Sequence, residues 1–133
     1  MQLKIDRVVK NWKHSATLAG ALNFDRAIPN AVGQGRRYVK YQTAPFWSEA
    51  FADFGLYPSE VEPQYLNMLT NHYADGAHTH SHMDPAKNGF VHARCNVMLK
   101  KPKIGGCPII DGKRFEVEVN DMWLCLSSLE WHS

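Results

Sequence analysis

Five of the seven histidines in the chain fall between His72 and His92. The densest stretch reads Gly76-Ala77-His78-Thr79-His80-Ser81-His82-Met83-Asp84-Pro85. In an extended strand side chains alternate, so His78, His80, His82 and Asp84 share one face while Thr79 and Ser81 take the other. Cα atoms two residues apart on a strand are separated by roughly 7 Å, a gap that an imidazole and a carboxylate close around one ion. His82 and Asp84 supply two ligands, and the third must come from elsewhere in the chain. His132, in Glu130-Trp131-His132, is the natural candidate. Two imidazoles and one carboxylate on one face of a metal leave the opposite positions open to exchange. That set suits Fe(II), whereas a closed structural zinc site wants four ligands, preferably with thiolates. His78 and His80 stay open as replacements for His82 or as residues lining the entrance. His14, His72 and His92 read as ordinary surface or satisfied histidines.

Such a site needs strands to hold it. From Tyr65 to Tyr73 and from Phe90 to Leu99 the chain reads as short β-like runs. Ile104-Gly105-Gly106 is a turn, Cys107 to Ile110 is a short apolar run, and Asp111-Gly112 is a strong two-residue hairpin signal. Lys113 to Val119 alternates, with Phe115, Val117 and Val119 on one face; Asn120-Asp121 then turns the chain into Met122 to Ser127. Many short strands with tight turns predict an antiparallel barrel or jelly roll of cupin type.

The first part of the chain has a different texture. Pro45 opens a predicted helix through Phe46, Trp47, Ala50, Phe51 and Phe54, whose spacing makes one apolar face before Gly55 ends it. We therefore read residues 1–133 as a single domain. Residues 1–62 form helical or irregular support, and 63–133 form the β core that carries the site.

Composition narrows the function classes. A chain of 133 residues with 44% hydrophobic and 21% charged side chains is long enough for one folded core and ordinary for a soluble protein. A formal charge of +2 is too small to argue for nucleic acid. The N-terminal segment lacks the continuous apolar stretch of a signal peptide or membrane anchor. Cys95, Cys107 and Cys125 are odd in number and show no C-x-x-C spacing. Reduced thiols in a cytoplasmic protein are the expectation.

From Asn71 to Ser133 the chain resembles the non-haem Fe(II)- and 2-oxoglutarate-dependent oxygenases of the double-stranded β-helix fold. The likeness rests on Tyr73-x-x-Gly76, on the H-x-D of His82-Met83-Asp84, and on the distal His132. Between them, Arg94-Cys95-Asn96-Val97-Met98-Leu99 followed by Pro102-x-x-Gly105-Gly106 is similar to the R-x-[NH]-x-x-L strand and Gly-Gly turn of phage-type and aspartyl, asparaginyl or prolyl hydroxylase-like members. The resemblance implies oxidative decarboxylation of 2-oxoglutarate coupled to hydroxylation of a small-molecule or peptide substrate. It assigns the iron to His82, Asp84 and His132, and a 2-oxoglutarate carboxylate to Arg94, whose planar fork matches a carboxylate. Asn96 and Tyr73 would add hydrogen bonds to that co-substrate.

One departure stands out. Members of this fold place an Arg or Lys about ten residues past the distal histidine, and here the sequence stops one residue after it, at Ser133. Either the chain is a piece of a longer protein, or Arg94 or another barrel cation takes over. A barrel lacking that strand leaves a sheet edge that invites a homodimer. Two other readings compete with the oxygenase. One is a cupin-like metal- or small-ligand-binding domain without turnover. The other is a zinc hydrolase, for which Glu130 is the nearby glutamate to act as base.

Overall fold

The computed structural model describes residues 6–21, 28–29, 36–41, 46–57, 68–73, 81–86 and 89–133. In chain order its elements are β1 (Val8–Val9), α1 (Ser15–Ala21), β2 (Ile28–Pro29), β3 (Arg36–Tyr41), α2 (Trp47–Asp53), β4 (Met68–Tyr73), β5 (Arg94–Val97), β6 (Ile109–Ile110), β7 (Lys113–Arg114) and β8 (Met122–Cys125). Among the described residues the architecture is mostly antiparallel sheet with two short helices. None of the described helices is long and apolar enough to cross a membrane.

The central sheet has the order β1-β8-β5. Its registers pair Val8 with Trp123 and Val9 with Met122 on one side of β8, and Arg94 with Cys125 through Val97 with Met122 on the other. Residues opposite one another across an antiparallel ladder share a face, so the sheet is two-sided. Val9, Cys95, Val97, Met122 and Leu124 face the core, where Trp12, Leu18, Ala50, Phe54 and Leu126 join them. Val8, Arg94, Asn96, Trp123 and Cys125 occupy the reverse face. A second sheet, β2-β3-β4, pairs Arg36 with Tyr73 and continues to Tyr41 with Met68. Both sheets join strands from before and after residue 63.

The helix expected after Pro45 is present, and its apolar face packs as the spacing requires. Phe54 is 2% exposed, Ala50 is buried, and Phe46 and Phe51 lie against the same cluster. Phe46 caps the helix with φ of 61°, and Gly55 leaves it with φ of 75°. Burying a side chain such as Phe54 contributes about 1.5–3 kcal/mol relative to leaving it in water. His14 stacks on Phe46 at 3.9 Å and contacts Glu49 of α2 through its Nε2, so this histidine belongs to helix docking.

The Asp111-Gly112 hairpin also forms. Ile110 pairs with Lys113, and the two turn residues have φ of 49° and 80°, the pair of positive angles that a type I′ turn demands. Gly106 is required by space as well as by φ, since a Cβ there would meet Pro102 Cγ at 2.5 Å. Two expected strands are shorter than the alternation predicts. Phe90 to Leu99 contracts to β5, and of Lys113 to Val119 only β7 pairs. The second run leaves the ladder at Pro108. Phe115 N–H still donates to the Pro108 carbonyl in register, but proline has no N–H to return the bond, and farther on Glu118 N–H donates to the Asp121 carboxylate. Val117 is still buried, but Val119 is exposed rather than sharing its face.

Candidate metal centre

His82 and His132 come together through the backbone. Each N–H donates to the carbonyl of the other at 2.9 Å, the reciprocal pair of an antiparallel bridge. Asp84 N–H leaves this register and donates to the Ser127 carbonyl at 2.8 Å. On its far side His132 bridges Ile110, with Ser133 and Ile109 exchanging hydrogen bonds. The distal histidine is thus the middle segment of three, held from both edges.

The side chains converge accordingly. One ligand atom from each of His82, Asp84 and His132 lies within 4.8 Å of the others. His82 Nε2 is 3.2 Å from Asp84 Oδ1, and His132 Nε2 is 3.7 Å from Asp84 Oδ2. Asp84 Oδ2 and His132 Nε2 are both buried and make no hydrogen bond. Buried polar atoms without partners are rare, because each carries its full desolvation cost. A carboxylate oxygen and an imidazole nitrogen facing each other this way are the donor atoms that a divalent cation accepts. The residues therefore fit a mononuclear metal.

Two neighbours fix the orientation of His132. Its Nδ1 lies 2.9 Å from the Glu130 carbonyl; as a donor there it keeps the proton and leaves the Nε2 lone pair toward Asp84. Glu130 itself is clamped. Its carboxylate takes both Arg7 guanidinium nitrogens, at 2.7 and 2.5 Å, and accepts the Leu126 N–H at 2.8 Å. Both partners are largely buried, at 14% and 5% side-chain exposure. The Arg7–Glu130 pair consequently ties the turn after β8, and the histidine it delivers, to the segment leading into β1. Among the described residues, both oxygens of the one glutamate near the site are thus engaged by Arg7, and one of them also by Leu126.

Arg94 lies on the reverse face of the central sheet, as the site requires, with a guanidinium nitrogen 3.2 Å from Asp84 Oδ2. Asn96 shares that face one step along β5, half-buried and opposite Trp123. Tyr73 ends β4, and its side chain lies outside the described set, as do His78 and His80. His92, read from sequence as an ordinary surface or satisfied histidine, stands outside the ligand cluster but close to it. Its Nδ1 is 4.0 Å from Asp84 Oδ2, and its Nε2 lies 3.5 Å from Arg94 Nε. The overlooked signal was its position two residues before Arg94. Burial lowers the His92 pKa, and the Arg94 charge lowers it further, against the pull of Asp84 and of the Pro85 carbonyl. Arg7, the clamp on Glu130, carried no sequence signal at all.

Cys125 stands behind the centre, buried on the Arg94 face. Burial pushes its thiol up to about 11 despite contact with Ser127. Trp131 is 54% exposed, while its neighbours Glu130 and His132 turn inward. Searches of family models, curated proteins and solved structures return no match for this chain.

Proposed function

We propose that the protein is a mononuclear non-haem metalloenzyme of the Fe(II)- and 2-oxoglutarate-dependent oxygenase type, built on a double-stranded β-helix. The observation that carries this reading is the convergence of His82, Asp84 and His132, with two buried, unbonded ligand atoms, beside the cation Arg94. His82, Asp84 and His132 would hold the metal. When bound, iron and 2-oxoglutarate would supply the oxidising chemistry. The protein's own contribution is positional. The His82–His132 backbone bridge sets the spacing of the two imidazoles, and the Glu130 carbonyl sets the tautomer of one. The reverse sheet face presents Arg94 and Asn96 to a carboxylate ligand.

A second reading, a cupin-like metal-binding domain without turnover, draws on one specific contact. Arg94 is paired with Asp84 itself, so the cation offered to a co-substrate already has a carboxylate partner. Anaerobic titration of the Fe(II)-loaded protein with 2-oxoglutarate separates the two. The oxygenase reading expects a saturable visible charge-transfer band. Bound metal with no such band favours the binding domain.

A further inference from the structure

Arg94 and the candidate ligands meet at one atom. Asp84 Oδ2 has His132 Nε2 at 3.7 Å and the Arg94 guanidinium at 3.2 Å. A divalent ion between the histidines and Asp84 would place a second cation at that carboxylate, and like charges at such separations repel. The Arg94 contact lacks hydrogen-bond geometry, since Oδ2 has no hydrogen-bond partner. It is an electrostatic pairing that a stronger cation can replace. Arg94 also has somewhere to go. Its side chain is 43% exposed, and its Nε edge lies against His92, whose backbone N–H donates to the Ser128 hydroxyl at 2.9 Å. His92 thus provides a fixed edge about which the guanidinium can turn away from Asp84.

We propose that Arg94 exchanges partners at this site. Metal and Arg94 compete for Asp84, and metal entry frees the Arg94 fork to take a carboxylate ligand, so metal and carboxylate bind as a positively coupled pair. The inference rests on the metal-centre reading and adds a rule for the order in which its ligands assemble. His92 is a positioning residue in it, because it holds Arg94 by the edge not used for the carboxylate. Reciprocity follows from thermodynamics: whatever factor the carboxylate adds to metal affinity, the metal adds to carboxylate affinity.

The test is Co(II) binding by the full chain, followed by calorimetry and by the visible cobalt spectrum, with chloride exchanged for acetate at constant ionic strength. For Arg94→Gln, we expect Co(II) to bind at least about threefold tighter than wild type in chloride, because the competitor is gone. Acetate should tighten Co(II) binding severalfold in wild type and leave Arg94→Gln unchanged. Arg94→Lys keeps the charge but loses the fork. It should bind Co(II) like wild type in chloride yet respond less to acetate. Unchanged or weaker Co(II) binding in a folded Arg94→Gln protein overturns the exchange, as does an equal acetate effect in both proteins. If wild type itself binds no Co(II), the metal centre falls and the exchange falls with it, an outcome distinct from cobalt binding that ignores Arg94.

Discussion

His132 Nε2 and Asp84 Oδ2 face each other across 3.7 Å, both buried and both without a hydrogen bond. An arrangement of two such groups costs stability by itself and gains it when a cation enters. Adding Mn(II), Co(II) or Fe(II) under anaerobic conditions should therefore raise the melting temperature. At a free metal concentration about a hundred times Kd, the gain is about 2.7 kcal/mol. That corresponds to a shift on the order of 10 °C at about 4 °C per kcal/mol. Asp84→Ala, His82→Ala and His132→Ala should each abolish the shift in thermal melts. A shift that survives all three would place the ion elsewhere.

The Arg7–Glu130 pair should be felt at the centre as well as in the fold. Removing one member leaves the other charge buried and unpaired, a loss of about 3–5 kcal/mol. Arg7→Met should lower the chemical denaturation midpoint accordingly. Because Glu130 supplies the carbonyl that orients His132, the variant should also weaken metal binding by about tenfold or more, within the range seen when ligand-orienting groups are lost. Leu124→Ala serves as the comparison. It should cost about 2–5 kcal/mol from the core, yet leave metal affinity unchanged at temperatures where the protein is folded.

The parts of this arrangement that were legible in sequence are those governed by local chemistry. Asp111-Gly112 specified its hairpin because few residue pairs tolerate two positive φ angles. Phe46, Ala50, Phe51 and Phe54 specified a helix face through spacing alone. His82, Asp84 and His132 were legible because few residue types ligate metals. What escaped depended on long-range partners. The alternation from Lys113 to Val119 is real, but its ladder stops at Pro108, which has no N–H to give, and Asp121 then takes the Glu118 N–H. His92 and Arg7 gained their roles only when β5 and the segment before β1 were laid on either side of β8, a placement that no window of sequence contains.

Thiol reactivity offers a check on the two-sided sheet. Cys95 faces the core, and burial pushes its thiol up to about 12; Cys125 on the reverse face reaches about 11 for the same reason. Thiolates are the reactive species, so neither should alkylate at neutral pH. Cys107 is only partly buried, near the Gly105-Gly106 turn, and contacts Glu116. Iodoacetamide labelling of the native protein, read by peptide mass spectrometry, should modify Cys107 well ahead of the others. Denaturant should then expose all three. Rapid native labelling of Cys95 would mean that the helices do not cover the core face.

Acid should find a weak point at Asp121, which lies between Asn120 and β8. Burial works to raise its pKa, but the Lys10 ammonium and the N–H groups of Asn11 and Glu118 outweigh it, and the pKa falls below the ordinary carboxylate value of 3.8. A carboxyl whose folded pKa is depressed stabilises the protein above its unfolded pKa. That contribution fades as pH drops below about 4 and is gone once the pH passes beneath the folded pKa. Asp121→Asn should be less stable than wild type at pH 7, by about 1–3 kcal/mol, because two backbone donors and an ammonium lose their charged acceptor. The difference should shrink steadily as acid is added, since protonation makes wild type resemble the variant. Urea midpoints measured from pH 7 to pH 3 decide this: a constant gap would show that Asp121 acts through shape alone, with no contribution from its charge.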